Sequence, residues 1–132
     1  MNWTDFVLKT EAIKSIYGAD LPRLEKLNLH EVTLHHDGPR AILRFDLCNY
    51  PNNPPKKWSS LGYNTVQIRL MALGIKSLNI SGWGSENNIS LSLEKNKDIF
   101  ILKYLGNNGG LEIAADFLIL DKVSAYKNDV FL

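Results

Sequence analysis

Four side chains in this chain have the chemistry to ligate a metal or attack an electrophile: His30, His35, His36 and Cys48. Their spacing argues against a metal. His35 and His36 are adjacent in a strand-like stretch, so they point to opposite faces. No HxH, CxxC or HExxH pattern brings two ligands together. Cys48 follows a strand and precedes a loop, where nucleophiles can sit, but no catalytic signature surrounds it. A lone cysteine at a strand end ordinarily packs as a small hydrophobe. Acid–base work on a glycoside needs two carboxylates across a cleft. Glu31, Asp37, Asp46 and Asp116 are available, and on outward strand faces they are expected to be simply solvated. The GWGSEN segment resembles a phosphate loop, but no helix follows to offer its N-terminus. It is expected to be a turn. No cofactor site and no metal site are predicted; a small hydrolase or ligand-binding domain using Cys48 and the histidines stands as the alternative reading.

The stretch with most recognition chemistry is residues 48–60, CNYPNNPPKKWSS. Pro51, Pro54 and Pro55 remove backbone donors and push the preceding residues toward extended backbone, so an irregular loop is expected. Long irregular loops in compact domains are uncommon and often functional. This one carries Tyr50 and Trp58 with adjacent Lys56 and Lys57, aromatic anchors with a cationic rim. Trp83 and the outward residues of the first two strands are candidate neighbours. Against this, Trp58 and Trp83 would equally serve to plug the ends of a sheet. The same aromatics with Arg40, Arg44 and Arg69 would suit a nucleic acid. Fifteen basic against fourteen acidic residues, a net charge of +1, argue against that partner.

The elements that must hold these residues follow from periodicity. Apolar Trp3, Phe6, Val7, Ile13, Ile16 and Tyr17 predict an amphipathic helix over residues 2–17, stopped by Gly18 and Pro22. A first strand runs over residues 27–36. Leu27 and Leu29 share one parity, Val32 and Leu34 the other, so either a bulge lies near His30 and Glu31 or the strand starts at His30. Asp37 and Gly38 form a hairpin turn signal. The second strand, to Leu47, sends Ala41, Leu43, Phe45 and Leu47 one way and Arg40, Ile42, Arg44 and Asp46 the other. Further strands are expected over 64–73, 77–83, 89–93, 99–105 and 111–120, the last bent near Asp121 and continuing toward Ala125. Turns are expected at Gly74, 82–88, 94–98 and 106–110. With no helix between strands, βαβ crossovers are excluded. The predicted fold is α+β: an N-terminal helix packed on a mainly antiparallel sheet of six or seven strands in meander order.

The bulk properties agree. The 132 residues suit one domain, and 45% hydrophobic with 22% charged is a globular composition. A single cysteine allows no intramolecular disulfide, which fits a reducing cytoplasm. The charged N-terminus has no apolar h-region, and no apolar run approaches a membrane span.

The segments LHEVTLHHDGPRAILRFDL, YPNNPPKKW, NTVQIRL, LNISGWG and KVSAY, in this order and with Trp3 ahead of them, resemble the bacterial immunity protein 50 family, predicted antidotes encoded beside polymorphic toxins. The resemblance covers most of the chain. It implies a cytoplasmic α+β protein that binds a cognate toxin domain and blocks it. It supplies no catalytic residues.

Overall fold

Alternating apolar side chains build seven strands: β1 (Leu27–His35), β2 (Arg40–Asp46), β3 (Thr65–Ser81), β4 (Asn88–Ile89), β5 (Ser92–Asn96), β6 (Ile99–Leu105) and β7 (Gly110–Tyr126). The computed structural model describes residues 2–84 and 87–129, so part of the turn expected over 82–88 lies outside the described residues. The strands form one sheet in the order β4-β1-β2-β3-β7-β6-β5, and all pair antiparallel. The α+β class holds. The meander does not: β1-β2-β3 and β5-β6-β7 are meanders, but β7, not β4, lies beside β3. The two strands are each 17 residues long and pair along their whole length, satisfying far more backbone groups than the two-residue β4 could.

The strand expected over 89–93 is split. Ile89 belongs to β4, on the β1 edge of the sheet, and Ser92 opens β5, on the β6 edge. Three Cα steps separate them, at most ~11 Å. The two edges of the sheet are therefore close in space, and the sheet curls around one interior. That interior holds Leu29, Leu43, Phe45, Ile68, Leu70, Leu102, Ile113 and Leu118 in a single cluster.

Irregularities in the strands explain the mixed parities. In β1 the register slips between Leu29 and Glu31, so His30 is the bulged residue and the bulge alternative holds. In β7, Leu120 faces Leu70 and Lys122 faces Arg69, leaving Asp121 as the extra residue. This is the predicted bend, and it turns Val123 inward after Leu118 and Leu120. Gly74 does not end a strand, contrary to the sequence reading. It adopts φ +73°, β3 runs through it, and the register shifts between Ile75 and Ser77. A Cβ at Gly74 would lie 2.4 Å from Asp116 Oδ2, so the position needs glycine on two counts.

The single helix expected over 2–17 is also corrected. A 3-10 turn, Trp3–Phe6, and a helix α1, Glu11–Tyr17, are separated by extended backbone and by Lys9 at φ 61°. The break has a tertiary cause. β6 covers one flank of β7 only as far as Ala115. Beyond it Leu8 completes the ladder, donating from its N–H to Leu118 O at 2.8 Å and accepting from Leu120 N at 3.0 Å. Leu8 thereby makes a single parallel bridge with Ile119. Val7, Ile13 and Tyr17 then pack into the interior.

Candidate functional site

The residues singled out in the 48–60 loop come together. After Pro54 and Pro55 the chain makes a five-residue helix, α2 (Lys56–Ser60), where an irregular loop was predicted. Proline is well suited to a helix N-terminus, because its missing N–H would have no partner there. The turn closes with Trp58 N–H on Pro55 O at 3.0 Å. Lys56 and Lys57 are exposed on it. Trp58 is half-buried, packs against the interior, and meets Tyr50 at 6.3 Å between ring centroids and 42° between planes. The pair is therefore partly core and partly surface. Burial raises the pKa of the Tyr50 phenol, and its hydroxyl has no hydrogen-bond partner among the described residues. Trp83 stands apart from this pair. It is 63% exposed and lines a cavity of about 280 Å³ with Leu29, His30, Glu31 and Tyr104.

A further surface is the outer face of β1, β2, β3 and β7. The register places its side chains in cross-strand rows. One row is His35, Arg40, Leu73 and Phe117; the next is Thr33, Ile42, Met71 and Ile119. The third is Glu31, Arg44, Arg69 and Lys122. Three cations thus sit directly opposite one another on adjacent strands, an arrangement that destabilises a sheet unless offset. Glu31 takes Arg44 Nε at 3.0 Å and Asp121 takes Arg69 Nε at 3.4 Å. The hydrogen bond and charge of Arg44 hold the Glu31 carboxyl below the usual carboxylate range. Arg40 and Lys122 have no carboxylate partner among the described residues.

Below the third row is a group that the sequence reading passed over. Asp46, expected to be solvated, is only 4% exposed. Its Oδ2 is 2.7 Å from His30 Nε2 and accepts from the Tyr126 hydroxyl at 2.5 Å, while Oδ1 accepts from Gln67 Nε2 at 3.0 Å. The β1 bulge turns His30 onto this carboxylate, and the Asp121 bulge sets Tyr126 on the same face. Burial first, then the hydrogen bond and charge of Asp46, push the Tyr126 phenol up to about 12. The available signals were the parity of Asp46 with buried Ile42 and the parity conflict at His30.

Cys48 is exposed, not packed as a small hydrophobe, because it lies beyond the end of β2. Its thiol meets Asn49 Oδ1 at 3.5 Å. It opens on a groove lined by Asp46, Tyr50, Asn64 and Asn128, with no histidine in the lining. His35 sits on the outer face opposite Arg40, while His36 is exposed beyond β1. No group of three or more His, Cys, Asp or Glu side chains is placed to hold a metal ion among the described residues. No helix among them is long and apolar enough to cross a membrane.

No curated protein and no solved structure matches this chain. A family model does: that of Immunity protein 50, over residues 9–126, nearly the whole chain. The match takes in the hairpin, the proline-rich loop, the GWG element and all seven strands. The chain belongs to the Immunity protein 50 family.

Proposed function

We propose that this protein binds a cognate bacterial polymorphic toxin domain in the cytoplasm and neutralises it without catalysis. The observation that carries the reading is membership of an immunity-protein family across nearly the full chain. The arrangement of the candidate residues supports it. Tyr50 and Trp58 are fixed against the interior, and α2 holds Lys56 and Lys57 outward beside them. A rigid aromatic pair with a cationic rim loses little conformational freedom on binding. Trp83, exposed beside His30 and Glu31 of β1, is a second aromatic contact in this reading. The partner is a protein, with neither nucleic acid nor membrane required. The test is co-expression with the toxin domain encoded immediately upstream. Growth is expected to be restored, with the two proteins eluting together on a sizing column. Continued killing with no complex would overturn the reading.

A further inference from the structure

The outer sheet face carries a further assignment, which rests on the toxin-binding reading above. We infer that the central contact surface for the toxin domain is the outer face of β2, β3 and β7, and that the toxin surface it takes is acidic around an apolar centre.

The face is built as a contact surface. Arg44, Arg69 and Lys122 are stacked in register against their own repulsion. Glu31 and Asp121 offset Arg44 and Arg69, which leaves Lys122 as the cation of the row without a carboxylate among the described residues. Arg40 is half-buried on this face and has no carboxylate partner among the described residues, so its charge is open to an incoming carboxylate. Beside these cations, Phe117 is 50% exposed and Met71 half-buried. Arginine, aromatic residues and methionine are the types enriched at protein interfaces. β2 and β3 are internal to the sheet, and beyond Ala115 the free flank of β7 is paired by Leu8, so backbone pairing holds the surface before binding.

Charge selects the occupant. Arg40 and Lys122 are cations without a carboxylate partner among the described residues, and the carboxylates of Glu31 and Asp121 are already engaged. A second copy of this chain would bring a like surface against itself in a two-fold dimer. A nucleic acid would have to bury Phe117 and Met71 and would meet Glu31 and Asp121 with its phosphates. An acidic protein surface with an apolar centre meets neither objection. The face is also continuous with the proposed loop contact, because Asp46, at the end of the Arg40–Arg44 column, lines the same groove as Tyr50.

The experiment measures affinity of the full-length protein for the upstream-encoded toxin domain at low and high salt. The variants are Lys122→Glu, Phe117→Ala and the pair together, with Lys97→Glu as an exposed control in the β5–β6 turn. Phe117 and Lys122 are exposed and Lys122 has no ion pair to lose, so thermal midpoints are expected to stay near wild type. Each test variant is expected to weaken binding about tenfold or more, with the loss in Lys122→Glu shrinking at high salt. Asp121→Asn, which frees Arg69, is expected to tighten binding at low salt, a response that a merely structural face would not give. If wild type binds and protects while all these variants bind within twofold of it, the assignment of the face is overturned and the toxin-binding reading stands. If wild type does not bind the toxin domain, both are overturned. Tight, salt-sensitive binding of a single-stranded RNA oligonucleotide that displaces the toxin would overturn the acidic-protein assignment in favour of a nucleic acid.

Discussion

Asp46 is the residue whose environment departs most from its sequence context. A carboxylate in the last position of an exposed-looking strand face is normally hydrated. Here three side-chain donors from three other strands replace the water: His30, Gln67 and Tyr126. A buried carboxylate is tolerable only when its lone pairs are satisfied in this way. The linkage has a definite sign. The Tyr126 phenol titrates near 10 in the unfolded chain and about 12 in the folded one, so between those values the folded state holds the extra proton. Stability from this group is complete below pH ~10 and is lost as pH rises toward ~12. Tyr126→Phe is expected to flatten part of the alkaline limb of the stability profile, measured by urea unfolding at stepped pH. An unchanged slope would show that Tyr126 is not part of that limb. Tyr17, whose phenol burial also raises, remains to contribute to it.

The elements owe their irregularities to their neighbours. Lys9 holds a left-handed conformation because Leu8 must pair with β7 while α1 must direct Ile13 and Tyr17 inward. Left-handed backbone costs a non-glycine residue about 1 kcal/mol or more. Lys9→Gly is therefore expected to leave stability unchanged or raise it by up to ~1 kcal/mol in denaturant unfolding. In the continuous helix that hydrophobic spacing suggests, the same change would cost about 1 kcal/mol. Gly74 makes the complementary case. Gly74→Ala forces a side chain into the Asp116 carboxylate at a left-handed position and is expected to destabilise by about 1–3 kcal/mol, read as a lowered urea midpoint.

The whole molecule is governed by the curl of the sheet. Residues 88–92 pass from one sheet edge to the other, and both sheet halves drain into one apolar cluster. A single core predicts a single cooperative transition. Phe45, fully buried at its centre, tests this: Phe45→Ala is expected to cost about 3–5 kcal/mol with an unchanged denaturant slope. Separate near- and far-ultraviolet transitions would instead show that the halves unfold independently.

Sequence alone determined what depends on local period and turn chemistry: the hairpin at Asp37 and Gly38, the inward set on β2, the bend at Asp121 and the α+β class, while the parity conflict at His30 left a bulge and a later strand start as alternatives that the register decided. The ordered segments also carried the family, and the proline-rich loop marked Tyr50, Lys56, Lys57 and Trp58 as neighbours. Tertiary structure decided the rest. Alternation fixes which face a side chain occupies but not which strand lies alongside. The β3–β7 pairing, the crossing of residues 88–92, the interruption at Lys9 and the in-register row of Arg44, Arg69 and Lys122 all depend on that second choice. It is made by contacts between residues far apart in the chain, where total burial and backbone pairing outweigh local preference.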